Sequence, residues 1–206
     1  MHKTLKRLKG KIMSTKVVTG TVRFSYFSAL SARVNEMNGK EEFSTQVLVP
    51  KSDTETVKAL KAAAKAALDA KFGDKIPKNI RNPLRDGDTE TKGDGSSLGD
   101  EYKGHFFFNA KAQKKPGAVD SNGNDLIGKD DIVSGDYGRL SLNAYAYDQA
   151  GNRGVSFGIN HIMLEKKGTP LGVAKSSAAD DFGIKRSGNA SAMSDFGGED
   201  DDSWPG

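Results

Sequence analysis

No cysteine occurs among the 206 residues, which excludes disulfide scaffolds, thiol catalysis, iron–sulfur clusters and cysteine-bound zinc. Histidine is nearly as scarce. His2, His105 and His161 are the whole supply, so a histidine triad or multi-histidine metal site would use almost all of it. No apolar run approaches the ~18–20 residues of a membrane helix, and residues 1–13 lack the apolar stretch of a signal peptide. Proline is limited to 6 residues against 24 glycines, a balance that favours turns and strands with some flexible polar sequence. The expectation is an intracellular, non-membrane protein without redox chemistry, its 35% hydrophobic content sufficient for one core of ordinary size.

The net charge of +4 is unevenly placed. Residues 1–16 carry six basic side chains and no acid, whereas residues 176–206 carry two basic and seven acidic. The centre is polarised as well: 86–101 holds one lysine against six acids, and 103–115 holds Lys103, Lys111, Lys114 and Lys115 against none. These shifts divide the chain into a basic extension (1–16), a folded domain (17–173) and a flexible linker with an acidic tail (174–206). Residues 1–12 read as an upstream extension without fixed structure, or else as a basic arm that adds phosphate contacts.

Residues 17–30 (VVTGTVRFSYFSAL) are β-branched and aromatic, and predict a strand. Alternation puts Val18, Val22, Phe24 and Tyr26 on its core face and Thr21, Arg23, Ser25 and Phe27 on the other. A turn around Asn38-Gly39 leads to a second strand over 43–49, which Pro50 ends. Residues 52–72 predict a helix. Ser52 and Glu55 fit a capping box, Val57, Leu60, Ala64, Leu68 and Phe72 recur at helical spacing, and Gly73 suits the stop. Lys58, Lys61 and Lys65 lie opposite that stripe as a solvated face. A long polar loop over 73–101 precedes a third strand at 103–112, where Phe106, Phe108 and Ala110 oppose His105, Phe107, Asn109 and Lys111. Turn chemistry fills 120–128. Residues 137–148 and 155–164 then form strands joined by a turn at 149–152, hence antiparallel. Leu140, Leu142, Ala144 and Ala146 face the core, with Arg139, Ser141, Asn143, Tyr145 and Tyr147 outward. The predicted class is mainly β: an antiparallel oligonucleotide-binding (OB) barrel with one helix inserted between strands 2 and 3, followed by a disordered acidic tail.

The combination that carries chemistry is aromatic rings beside cations on outward faces. It recurs as Arg23 with Phe27, as Phe107 with Lys111, Lys114 and Lys115, and as Arg139 with Tyr145 and Tyr147. Rings stack on bases of any identity while Lys and Arg neutralise phosphates, so the pattern suits single-stranded nucleic acid. Two metal readings are weaker. Residues 120–131 imitate a calcium loop but place Asp125 where glycine is needed and Asp131 where glutamate is needed. Asp86 and Asp88 could hold magnesium for nuclease chemistry, yet no acidic–histidine cluster supports them. Glu199, Asp200, Asp201 and Asp202, followed by Trp204, read as an interaction tail that docks on partner proteins and screens the protein's own basic groove when DNA is absent. The alternative is a solubilising tail.

Several stretches resemble a known family. These are Tyr102-Lys-Gly104 through Lys111, Pro116, Val119-Asp120, Ser134-Gly135-Asp136-Tyr137, Leu142 through Asp148, and Gly151-Asn152-Arg153-Gly154-Val155 through Asn160. With Gly20-Thr-Val22-Arg23 and Tyr26, Val49-Pro50-Lys51 and Pro83 through Asp88, they are similar to a bacteriophage single-stranded DNA-binding protein family long catalogued as a domain of unknown function. The resemblance covers about 17–173. It implies an OB-type barrel, no enzymatic activity, no cofactor, and sequence-tolerant binding of single strands in phage replication, recombination or repair within the host-cell cytoplasm. Arg153 joins the candidate DNA contacts, and partners would be single-stranded DNA, replication or recombination proteins met through the tail, and further copies of the chain. The tail resembles the acidic tips of bacterial single-stranded DNA-binding proteins, although it finishes Ser203-Trp204-Pro205-Gly206 rather than on a terminal Phe. The competing readings are a metal-dependent nuclease using Asp86 and Asp88, and a structural phage component.

Overall fold

A computed structural model describes residues 14–36, 39–149 and 151–172. The chain separates into two units, Met1–Gly172 and Val173–Gly206, and the described residues belong to the first. The acidic tail and most of the basic extension therefore lie outside them, as does Asn38 of the expected turn. The strands are β1 (Lys16–Val18), β2 (Val22–Ser25), β3 (Arg33–Val34), β4 (Glu41–Pro50), β5 (Arg85–Asp86), β6 (His105–Ala112), β7 (Gly117–Asp120), β8 (Tyr137–Gln149) and β9 (Asn152–Lys166). One helix, α1 (Thr54–Phe72), follows β4, where the helical spacing placed it.

The first predicted strand is broken in two. At Thr19–Gly20 the chain leaves the ladder to meet the start of α1. The Gly20 N–H donates to Thr56 Oγ1 at 2.7 Å, and a Cβ on Gly20 would stand 2.4 Å from Asp53 Oδ2. The break reverses the expected alternation. Val17 is buried while Val18 is 55% exposed. A second departure follows at Tyr26, whose φ of 46° is the one positive value among the described non-glycine residues. That turn throws the Tyr26 ring outward, 68% exposed, and sends Phe27 inward to lie 5.5 Å from Phe24. Tyr26 is thus not core, and Phe27 is not a free stacking ring.

The strands form one 9-stranded sheet. β2 pairs with β4, β4 with β6, β6 with β9, β9 with β8, and β8 with β2. The expected all-antiparallel pairing is corrected at two places, since β6–β9 and β7–β9 are parallel. β7 and β8 lie between β6 and β9 in the chain, which supplies the crossover that a parallel neighbour requires. Val22, Phe24, Val47, Phe108, Ala110, Leu140, Leu142 and Phe157 fill the interior. Burying side chains of this size stabilises by about 1.5–3 kcal/mol each for the larger ones.

Helix α1 packs Val57, Leu60, Ala63, Ala64 and Ala67 into the same core. Its cap is Asp53, not Ser52: the Asp53 Oδ1 accepts from Thr56 N–H at 3.0 Å. Gly73, with φ 55°, closes the other end by donating to Asp69 O. Lys58 and Lys65 pair with Glu55 and Asp69 on the outer face, as expected of a solvated helix surface. A neutral-pH urea titration should find Asp53→Ala less stable by about 1 kcal/mol, with Ser52→Ala within a few tenths of wild type. The reverse order would return the cap to Ser52.

Candidate nucleic-acid interface

Strand alternation builds the candidate surface from the long β8–β9 hairpin. Leu140, Leu142 and Ala144 point inward opposite Ile162, Ile159 and Phe157, so Asn143, Tyr145 and Tyr147 must point out. Tyr145 is 47% exposed. The two rings rest on a floor of small residues from β9. A Cβ at Gly154 would stand 2.6 Å from the Tyr147 hydroxyl oxygen and 2.8 Å from its Cζ, so that ring lies directly across Gly154. Tyr145 leans toward Gly158, whose missing Cβ would be 3.8 Å from its Cε1. Where β6 runs beside β9, Lys111 faces Gly158. Lys111, Lys114, Asn143, Tyr145, Gly158 and Asn160 together line an open groove of about 590 Å³, with Glu42 on its rim. Lys111 Nζ is 2.7 Å from Glu42 Oε1, whereas Lys114 has no side-chain partner among the described residues.

The remaining predicted contacts are not assembled there. Phe107 is buried, 1% exposed, and this overturns its reading as an open stacking ring. The long loop folds back over β4 and β6: Tyr102 meets Phe107 edge-on at 5.0 Å, Leu98 and Leu171 pack beside them, and the Arg85 guanidinium lies 4.2 Å over the ring. Tyr102 also donates its hydroxyl hydrogen bond to Gln46. Arg23 is a clamp, donating to Gly135 O at 3.2 Å and to Thr169 O at 2.9 Å. Arg139 donates to Thr19 O and Lys115 to Ile127 O. Arg153 pairs with Asp148 at 2.9 Å and, with Asn79, Arg81 and Asn152, lines a separate recess at the hairpin tip. Sequence reading did not single out Arg81 and placed Tyr26 on the core face. Only a backbone flip turns Tyr26 out, and Arg81 reaches β9 by one isolated bridge to Gly154.

The carboxylates at Asp86 and Asp88 are occupied by the protein's own cation. Lys51 Nζ lies 2.5 Å from Asp86 Oδ1 and 2.7 Å from Asp88 Oδ2, and Gly104 N–H donates to Asp88 Oδ1. The hydrogen bonds from Lys51 hold both carboxyls below the usual value of 3.8 and raise the lysine. Among the described residues no group of three or more His, Asp or Glu side chains is placed to hold a metal. The imitation calcium loop is a turn in which Asp120 accepts from Asn122 and Asn124 N–H.

Comparison with known proteins places the chain in a family. Residues 15–201 match the family described as Enterobacter phage Enc34, ssDNA-binding protein. The chain belongs to this family. A protein designated p50 of Acyrthosiphon pisum secondary endosymbiont phage 1 is 26% identical over 182 residues, covering 82% of this chain and 95% of its own. The fold is similar to that of the Enc34 single-stranded DNA-binding protein solved with ssDNA, at TM-score 0.67 and 15% identity over 77% of this chain and 90% of that one. It is similar also to gp2.5, a single-stranded DNA-binding protein of bacteriophage T7, at TM-score 0.50 and 15% identity over 78% and 97%.

The Lys51 cluster gives this family member a defined acid response. Because both carboxyls titrate low when folded, their stabilisation is complete above the unfolded value near 3.8 and is lost as pH falls through the lowered folded values. Lys51→Met should therefore lower the urea midpoint at pH 7, and the gap to wild type should narrow at pH 3. A gap independent of pH would assign the lysine to packing over Phe106, 5.1 Å away.

Proposed function

We propose that this chain binds single-stranded DNA with little regard to sequence, along the outer face of β8–β9 and the groove beside it. The carrying observation is the meeting of Lys111, Lys114 and Tyr145 in one open groove, with Tyr147 next along the strand. Stacking contributes about 1–3 kcal/mol per base whatever the base, and the lysines offset phosphate charge. Membership of the Enc34 family supports the reading, as does the fold shared with proteins named for this activity. In this account the pairings β2–β4–β6–β9–β8–β2 form an OB-type barrel. The protein serves phage replication, recombination or repair in the host-cell cytoplasm without enzymatic activity. Glu199, Asp200, Asp201, Asp202 and Trp204 form a tail that docks on partner proteins and competes with DNA for the basic groove.

Fluorescence anisotropy with an oligothymidine tests the surface. Tyr145→Ala should weaken binding by roughly 1–3 kcal/mol with the thermal midpoint retained; equal affinity would remove that ring from the site. Lys114→Gln should make the log-affinity against log-salt slope shallower by about 0.7, the share of one phosphate on a single strand. Labelled strands incubated with magnesium and the protein should stay full length, and shortened products would favour the nuclease reading of Asp86 and Asp88.

A further inference from the structure

We infer that the groove is not blind to base identity: one nucleotide of the bound strand sits over Gly158, where Asn143, Asn160 and Glu42 favour cytosine or adenine over thymine. The inference rests on the DNA-binding reading above and adds a specificity to it.

The seat is made by an irregularity in the hairpin. Leu142 faces Ile159, but the next pair along is Ser141 with His161, so Asn160 is an extra residue on β9. Such bulges re-aim a side chain out of the regular ladder. Asn160 turns into the groove, where its Oδ1 accepts from Asn143 Nδ2 at 3.3 Å and its own Nδ2 reaches Ser141 Oγ at 3.5 Å. That pairing fixes the Asn143 amide and leaves its carbonyl oxygen and second N–H unengaged among the described residues. A fixed amide offers donor and acceptor in one order, so it cannot serve every base edge alike.

Gly158 forms the floor. Its φ is not among the positive values. A Cβ there would meet only ordinary contacts, 3.7 Å to Asn143 O, 3.8 Å to Tyr145 Cε1 and 3.9 Å to Lys111 O. Neither backbone strain nor packing asks for glycine at this position. What its missing side chain does provide is room between Tyr145, Lys111 and Asn143, inside a groove of about 590 Å³.

Glu42 gives the seat its chemical preference. A carboxylate is out of place on a surface that serves phosphates alone, yet Lys111 holds this one at the groove. Carboxylates accept from the cytosine N4 amino group, and asparagine matches the adenine N6–N7 edge. An unpaired thymine offers the Glu42 carboxylate a single N3–H flanked by the O4 and O2 lone pairs, whereas the cytosine and adenine amino groups present two donors, each with at most one flanking acceptor.

Anisotropy titrations of the full chain with oligodeoxycytidine and oligothymidine of equal length test the inference. Wild type should bind the cytosine strand roughly fivefold tighter, the lower end of about 1–3 kcal/mol for a base-edge pair. Asn143→Ala and Glu42→Ala should each bring the ratio toward one, even as Glu42→Ala frees Lys111 and tightens both strands. Gly158→Ala should weaken binding of the cytosine strand with the thermal midpoint unchanged. Equal wild-type affinity for the two strands would overturn the base preference and leave DNA binding standing, as would variants that keep the wild-type ratio. Failure of wild type to bind either strand would overturn the DNA-binding reading itself.

Discussion

A β-strand sealed on one face has no freedom in what it shows on the other, and the β8–β9 hairpin turns that constraint into a surface. Leu140, Leu142 and Ala144 meet Phe157 and Ile159 inside. A slip of one residue would carry Tyr145 and Tyr147 into the core and expose the leucines, so the register is firmly held. The same constraint acts on β9, whose inward Val155, Phe157 and Ile159 leave Gly154, Ser156 and Gly158 outside. Rings from one strand therefore lie over side-chain-poor positions of the next. The tyrosines are presented as flat plates rather than as pegs.

Cations do two jobs in this protein, and contact geometry decides which. Arg23, Arg139 and Lys115 donate to backbone carbonyls of Gly135, Thr169, Thr19 and Ile127, tying those turns to the sheet. Lys51 spans Asp86 and Asp88, fixing the long loop beside β6. Lys114, and Lys111 through its bond to Glu42, remain at the groove. A basic composition thus overstates the charge on offer to a polyanion where cations such as Lys51 are already paired with the protein's own carboxylates.

The main strands and the helix were legible because their signals are periodic: two-residue alternation over 137–148 and 155–164, and helical spacing over 52–72. The outward placement of Tyr145, Tyr147 and Lys111 was legible for the same reason. Phe107 was misread because alternation places a side chain on a face without saying whether that face meets water; a loop distant in sequence, with Tyr102 at its end, covers it. Tyr26 and Phe27 exchanged roles at one backbone flip, and no residue pattern marks a positive φ at a tyrosine. The cap moved from Ser52 to Asp53 because both residue types suit the position, and geometry alone chooses between neighbours. Similarity of fold to the Enc34 protein at 15% identity fits this account, since alternation survives wide exchange of the residues that carry it.

By itself the sequence determined a cysteine-free, strand-rich domain with one helix, an acidic end, and two tyrosines on the outward face of its longest hairpin. Those properties follow from local chemistry and from periods of two and 3.6 residues, which neighbours along the chain are enough to express. Tertiary structure decided which aromatics are open, which cations are free, and where Asn160 and Glu42 stand relative to Tyr145. Each of these depends on contacts between segments far apart in the chain, where covering loops, carbonyl partners and a bulged register set exposure and direction. Residue type names the chemistry a side chain can do, and only long-range packing leaves it a partner or leaves it free.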